Sequence, residues 1–390
     1  MTTRPVRLVL VGGGHSHVEV LRRFALQPEP LLDLTLISPS PLAAYSGMLP
    51  GLVAGHYSLA ETHIDLAPLA RWARARFVGA SVTGLDLHTR TLALADGNSE
   101  PFDLLSIDIG STPDTTRVPG AREHAIAVRP VAAFLAEWNA LRQDAAEGTV
   151  NSIAVVGGGA GGVELLLAMQ HRLRSELGAS APRFSLVTDA PQLLPEHPPG
   201  VRARAGRLLV AREVVLHLQS RAVAVEAGTV ITTHERRISV GRIVWATSAG
   251  SQSWLAESGL ACDARGFVEI DDALRSNSHP FVFAAGDCAT QVAHPRPKSG
   301  VFAVRQGPPL AAKLRHALRN ESPAAYVPQR RALALIATGP RHAIASWGPL
   351  VFEGDWAWRW KDRIDRAFMA KYVPPGKPVP APALHGRGIE

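Results

Sequence analysis

Cysteine is almost missing from this chain of 390 residues. Only Cys262 and Cys288 occur, with no C-x-x-C and no longer paired spacing. A disulfide scaffold, a zinc site and a redox-active dithiol helix are therefore not expected. Long apolar runs are missing too: no window approaches eighteen uninterrupted apolar residues, so no spanning helix is expected. The apolar run at 8–11 ends in glycines and not in a signal-peptide cleavage site, so the protein is expected to be cytoplasmic. The net charge of +7 comes from arginine spread along the chain, and no nucleic-acid motif accompanies it.

What is present is a Gly-rich stretch, I-A-V-V-G-G-G-A-G-G-V-E-L-L at 153–166. An apolar run ends in Gly157, Gly159 and Gly162 at G-x-G-x-x-G spacing, and a helix-compatible run follows. The three glycines differ in what they permit. Gly157 makes the turn, Gly159 lets the backbone approach a pyrophosphate, and Gly162 lets the helix pack close to the strand. The free N–H groups and positive dipole end of the helix then face the phosphates. Residues 8–21, L-V-L-V-G-G-G-H-S-H-V-E-V-L, nearly repeat the stretch. Gly12 and Gly14 fit, whereas His17 replaces the third glycine, so a slightly wider helix-to-strand packing is expected. Two such units in one chain point to two dinucleotides.

The first unit's second strand ends at Ser38, where a carboxylate would be the stronger acceptor for ribose hydroxyls. His15, His17, His56 and His63 cluster nearby, but no ligand set of matching spacing accompanies them, so they read as capping and loop residues and no metal is expected. Short alternating strands follow at 82–87, from Val82, then at 91–94 and 104–107. The last ends at Gly110, where a turn can bring backbone close to a ligand. The second unit's second strand ends at Asp189, placed to bind the ribose of NADH, with no arginine directly after it for a 2′-phosphate. At 281–289 an apolar strand stops at Gly286-Asp287, a carboxylate at the strand end where open α/β sheets bind ligands. Gln306-Gly307 precedes Pro308-Pro309, and proline in a first turn marks a helix start here.

This order of elements resembles the two-dinucleotide-binding flavoproteins, the pyridine nucleotide-disulfide oxidoreductases. The fold implied is α/β: two Rossmann-like dinucleotide-binding domains and a small C-terminal region ending in an amphipathic helix. The resemblance implies an FAD-binding domain at 1–118 and 269–322, an NAD(P)H-binding domain at 119–268, a C-terminal region at 323–373 and a disordered tail at 374–390. Gly12, Gly14, His15, Ser38, Val82, Gly110, Gly286, Asp287, Gln306 and Gly307 would serve FAD, with Asp287 on the ribityl chain. Gly157, Gly159, Gly162 and Asp189 would serve NADH or NADPH. Ser248 replaces the glycine usual after Ala246-Thr247.

Within that superfamily the missing cysteine pair excludes disulfide reductases, and the chain looks most like type II NADH dehydrogenases. A-A-Y-S-G-M-L-P-G from Ala43, R-P-K-S-G-V-F-A-V-R-Q-G from Arg296 and W-R-W-K-D-R-I-D-R from Trp358 are also similar to an FAD module fused ahead of selenide, water dikinase in some bacteria; the chain would be its free-standing form. The resemblance implies hydride transfer from NADH to FAD and electron delivery to a quinone or quinone-like acceptor. Glu164 would hold the nicotinamide, or only complement the helix dipole. Lys298 would sit near the flavin, the helix beginning near Gly307 would face its pyrimidine edge, and Cys288 would be a buried filler. Val301 and Arg305 stand where glutamines are usual, so a quinone site of the usual build is not expected.

Trp356, Trp360, Ile364 and Phe368 form an apolar stripe, with Arg359, Lys361, Arg363, Arg366 and Lys371 around it. Such a helix can lie in a membrane interface, making the protein peripheral on the inner face, or can pack on its own FAD domain. Two other functions stay open: a soluble NAD(P)H-dependent reductase serving selenium or sulfur metabolism, and a non-enzymatic flavin-binding redox module.

Overall fold

Two five-stranded parallel sheets frame the protein, and each is centred on one Gly-rich strand. The computed structural model describes residues 4–113, 115, 117–247, 249–322 and 324–378, so Ser248 and the tail beyond 378 lie outside the described residues. In the first sheet the order is Val282–Ala284, Leu104–Ile107, Val6–Val11, Leu32–Ile37, Arg76–Val78. In the second it is Ile126–Ala127, Arg242–Trp245, Ser152–Val156, Arg183–Val187, Val215–His217. The central strands are continuous apolar runs because parallel sheets are covered on both faces; Leu8 to Val11 and Ile153 to Val156 are all buried. Each passes through its glycines directly into a helix, His15–Leu26 or Ala160–Leu177. The expected α/β fold with two Rossmann-like units is present.

Each sheet carries an antiparallel three-stranded meander, Val82–Asp86, Thr91–Leu94, Ser99–Pro101 in one and Ala222–Glu226, Thr229–Thr232, Arg237–Ser239 in the other. Trp254, Leu255 and Leu260 pack in the first core with Val282 and Phe283, so the chain re-enters the first unit at Trp254. The strands Ala334–Ala337, Ala343–Trp347 and Leu350–Gly354 form a small sheet that leads into the expected C-terminal helix, Asp355–Ala370. This unit bridges the halves: Ile336 and Ile344 join the second core, and Phe368 and Tyr372 join the first.

One expected boundary is wrong. The helix that the two prolines were expected to open runs Gly300–Leu318, with Pro308 and Pro309 inside it. The prolines remove two helical hydrogen bonds and cost roughly 3 kcal/mol or more each in an isolated helix. Leu310, Ala311 and Leu314 are buried in one core with Val20, Leu21 and Phe24 of the helix His15–Leu26, and each large side chain so buried contributes roughly 1.5–3 kcal/mol. Helix packing thus offsets the local penalty. Gly307 belongs to that packing: a Cβ there would stand 2.7 Å from Cβ of Glu19.

The two units differ at the third glycine position. A Cβ at Gly162 would stand 2.1 Å from the Gly157 carbonyl oxygen, while one at Gly161 would meet nothing within 4 Å. Gly162→Ala is therefore expected to destabilise the fold by about 2 kcal/mol or more, and Gly161→Ala, in the first turn of the same helix, to leave stability unchanged or raise it by up to about 1 kcal/mol. Urea unfolding of the two variants measures both; equal midpoints would show that the helix can move off the strand freely.

Candidate functional site

The first cradle is built around a carboxylate. Asp108 follows the strand Leu104–Ile107, and its Oδ2 accepts the backbone N–H groups of Ser16 (2.8 Å) and His17 (3.1 Å) in the first turn of His15–Leu26. A Cβ at Gly14 would lie 2.2 Å from Asp108 Cγ, and one at Gly286 2.5 Å from its Oδ1, so only glycine fits on either side. Burial raises the Asp108 pKa to about 7, the two N–H donors pull the other way, and nearby Asp287 adds to the rise. Asp108 was not singled out from the sequence, although it follows an apolar strand just as Asp287 does.

His17 is buried and bonded at both ring nitrogens. Its Nδ1 lies 2.7 Å from the Gly12 carbonyl and its Nε2 2.8 Å from Ser106 Oγ. The carbonyl can only accept, so Nδ1 carries the proton and Ser106 donates to Nε2. Burial lowers the His17 pKa to about 4, which keeps the ring neutral. His15 opens the helix with its Nε2 buried and without a partner among the described residues. Burial lowers its pKa to about 4 as well. Its ring meets Tyr45 edge-on at 5.5 Å, and Tyr45 stacks on Phe368 of the C-terminal helix at 4.4 Å.

Around Asp287 the structure gathers residues from both units. Its Oδ2 accepts from Arg129 Nη1 (3.1 Å) and Ser111 Oγ (3.3 Å), and Arg129 also donates to Ser111 Oγ at 2.6 Å. Arg129 was missed, because a lone arginine before a proline carries no local signal. The Gly286 N–H donates to Gln306 Oε1 at 2.6 Å. Lys298 shares a small cavity with Gly286, Asp287 and Gln306. Its ammonium donates to the Ala289 carbonyl and Thr290 Oγ1 and lies 4.3 Å from the Phe267 ring centre, and burial lowers its pKa.

The other first-unit residues are placed less pointedly. Ser38 is buried and donates to the Ser40 carbonyl, Val82 packs partly buried against the first core, and a Cβ at Gly110 would meet open space. Gly307 is drawn away from the expected role: it packs on Glu19 in the middle of its helix, not at a helix start. The N-terminus that could face a flavin is at Gly300, beside Ser46. Cys288 is fully buried, with burial pushing its thiol up to about 12, which is the behaviour of a filler.

The second cradle is open. A Cβ at Gly159 would meet nothing within 4 Å, and Gly157 takes φ +132° beneath the Ala246 carbonyl. Asp189 is exposed and lies 3.6 Å from Arg221 Nη2; the arginine absent from the local sequence arrives from the next meander. Glu164 Oε1 accepts the Ala337 N–H at 2.7 Å, which ties this cradle to the C-terminal sheet. Burial raises the Glu164 pKa to about 7, against the pull of Lys361 and the Ala337 N–H.

The C-terminal helix departs from the expected stripe. Its buried residues are Ala357, Trp358, Lys361, Asp365 and Phe368, while Trp356, Trp360 and Ile364 are exposed. Residues four apart drift by about 40° per step around a helix of 3.6 residues per turn, so Phe368 faces away from Trp356. Polar pairs hold the inner face. Lys361 bonds Asp365 at 2.6 Å, Asp365 accepts from Tyr45 at 3.1 Å, and Asp362 accepts from Tyr57 at 2.8 Å. Arg366 reaches Glu61 at 2.8 Å and Asp362 at 2.9 Å.

Two glycine turns, each at a helix N-terminus and at the carboxyl end of a parallel sheet, define an oxidoreductase fold for two dinucleotides. The open positions 110 and 159 and the orphaned His15 nitrogen fit such ligands. The family model for pyridine nucleotide-disulphide oxidoreductases matches residues 6–307, and the chain belongs to that family. A type II NADH:quinone oxidoreductase of Staphylococcus aureus is 24% identical over 338 residues, covering 81% of this chain and 83% of that protein. Among solved structures, the sulfide:quinone oxidoreductase of Aquifex aeolicus superposes with a TM-score of 0.80 at 18% identity, covering 94% of this chain and 91% of that one. NDH2 of Plasmodium falciparum, in complex with NADH, gives 0.80 at 14%, covering 97% and 100%. The chain is an FAD-dependent NAD(P)H oxidoreductase of that family, and it resembles type II NADH dehydrogenases.

The Asp108 carboxyl carries a raised value in the folded chain, so between its unfolded value near 4 and about 7 the folded state holds a proton that the unfolded state has lost. That contribution to stability is fully present below the unfolded value and is lost as pH rises through the folded one. The melting temperature of the FAD-free protein is expected to fall between about pH 5 and 7.5, and Asp108→Asn, which cannot ionise, to flatten part of that fall. An unaltered slope in the variant would place the titration elsewhere.

Proposed function

We propose that this protein passes hydride from NADH to FAD and delivers the electrons to a quinone or quinone-like acceptor at a membrane surface. The observation that carries the acceptor's class is the outer face of the C-terminal unit. Trp347, Leu350, Phe352, Trp356, Trp360 and Ile364 are all more than a third exposed, Trp356 stacks beside Trp360 with a 6.4 Å centre separation, and Arg359 and Arg363 flank them. Aromatic side chains beside arginine suit the headgroup region of a bilayer. Among the described residues no helix is long and apolar enough to cross one, so attachment would be peripheral, on the inner face. The names of the relatives, NADH:quinone and sulfide:quinone oxidoreductases, point to the same acceptor class.

In this reading the backbone at Gly157, Gly159 and Gly162 holds the NADH pyrophosphate, and Asp189 holds its adenosine ribose. Glu164, fixed by Ala337, orients the nicotinamide amide. Gly12, Gly14 and His15 hold the FAD pyrophosphate, Ser38 and Val82 flank its adenosine end, and Gly110 borders the cleft. Asp287, held by Arg129 and Ser111, binds the ribityl chain; Gln306 fixes the Gly286 turn, and Lys298 places a positive charge beside it. FAD, when bound, supplies the two-electron carrier between NADH and the acceptor.

Anaerobic titration of the purified flavoprotein is expected to bleach its visible absorption with one equivalent of NADH, and a flavin bleached by neither NADH nor NADPH would sink the dehydrogenase assignment. Membrane attachment is tested separately. Flotation with phosphatidylglycerol-containing vesicles should recover the protein, and replacing Trp356 and Trp360 together by serine should lower the bound fraction about tenfold. Equal flotation of the two proteins would remove the membrane from this reading and leave the hydride step untouched.

A further inference from the structure

A cavity of about 640 Å³ lies away from both cradles, between the end of the short helix Leu49–Val53, the last turns of Ala160–Leu177 and the turn after Ala334–Ala337. Its volume falls within the range of roughly 300–1,000 Å³ typical of small-molecule sites. Its walls are basic: two arginines, Arg172 and Arg341, and two histidines, His56 and His171, line it, against one carboxylate, Glu176.

The positive charge is poorly compensated. Arg341 packs 5.4 Å from the Trp358 ring centre and has no carboxylate in ion-pair range among the described residues. Arg212, behind His171, likewise has none; burial and then Arg174 lower its pKa. Arg172 shares Glu176 with Arg142, two guanidiniums on one carboxylate. For His171, burial and then His56, Arg212 and Arg172 all disfavour the charged ring. Cations held this close repel one another, and the arrangement is relieved by an anion placed among them.

The walls are fixed as well as charged. His56 Nε2 donates to the Gly339 carbonyl at 2.7 Å. The Arg172 guanidinium rests on the backbone of Gly55, where a Cβ would clash with its Nη1. Forked guanidinium donors on fixed elements suit phosphate oxygens.

We propose that this cavity is a second ligand site, for a phosphorylated anion. The ligand is a free phosphorylated molecule or the headgroup of an anionic lipid, since both present the same oxygens. The site is independent of the hydride reaction proposed above.

The experiment uses FAD-loaded protein saturated with NAD+, so that both dinucleotide cradles are filled, titrated calorimetrically with inorganic pyrophosphate. Saturable binding at one site is expected, weakened about tenfold by Arg341→Gln and tightened severalfold by Glu176→Gln, which removes the competing carboxylate. The opposite signs separate a binding effect from a folding defect. In a parallel arm, vesicles of phosphatidylglycerol and of phosphatidylcholine are compared with the same variants. A pyrophosphate response with both substitution effects assigns a free phosphorylated ligand. The same two effects seen only with phosphatidylglycerol vesicles assign a lipid headgroup. If neither substitution alters either arm, or pyrophosphate and vesicles both fail to bind through this cavity, the proposal is overturned.

Discussion

The architecture depends on one requirement: the unpaired N–H groups at a helix start facing the carboxyl end of a parallel sheet need an acceptor, and the helix dipole favours a negative one. The chain meets it twice, in opposite ways. At the first helix the protein supplies its own acceptor, because the Asp108 carboxyl takes the N–H groups of Ser16 and His17. At the second helix the position corresponding to Asp108 is Ala246, which lies under Gly157 as Asp108 lies under Gly12, and alanine has no polar atom to offer the helix start. The first cradle is lined by side chains that fix its shape without a ligand, as suits a resident cofactor. The second has no such side chain at Ala246, which would suit a ligand that must come and go.

The same asymmetry sets the packing. Where glycine stands third in the motif, the helix backbone touches the turn. Where His17 stands there, a neutral imidazole spans the gap between the Gly12 carbonyl and Ser106. A charged ring in that place would bury an unpaired cation, at a cost of several kcal/mol, and burial instead drives the proton off. His17 is thus not a lapse in the motif; it ties the helix to the glycine turn and to the neighbouring strand, and every buried polar atom of its ring stays bonded.

Much of this could be read from the sequence, because period and glycine spacing are local signals. The apolar runs at 8–11 and 153–156, the turns at Gly12 and Gly157, and the carboxylate after the strand at Val282–Ala284 all lie where pattern alone puts them. What could not be read depends on distant partners. Asp108 and Arg129 acquire meaning only when strand ends and a crossing segment from the other unit meet at Asp287. The early start of the helix Gly300–Leu318 is decided by burial against His15–Leu26, which outweighs two prolines. The direction of the C-terminal stripe is decided by Lys361 and Asp365, charged residues that a hydropathy pattern assigns to the outside. Their four-residue spacing, shared by Asp362 and Arg366, was the signal available for a paired inner face.

That early helix start joins the C-terminal unit to the site. The donors at the N-terminus of Gly300–Leu318 come out beside Ser46, since a Cβ at Gly300 would stand 2.8 Å from Ser46 Oγ. The turn carrying Ser46 is held from outside by the C-terminal helix: Tyr45 bonds Asp365, the Gly47 carbonyl accepts from Lys361, and Tyr57 bonds Asp362. Glu164, from the second cradle, reaches the same unit through Ala337. A helix whose outer face is tryptophan and arginine therefore has as its inner face a polar clamp on the turn at Tyr45 to Met48, while the sheet of the same unit holds Glu164. Burying that many charges stabilises little by itself; what it fixes is geometry, because Lys361, Asp362, Asp365 and Arg366 are each held by two partners. Docking the outer face on a surface would fix the orientation of the cleft between the cradles, and an acceptor arriving from that surface would meet the flavin side through the turn at Tyr45 to Met48.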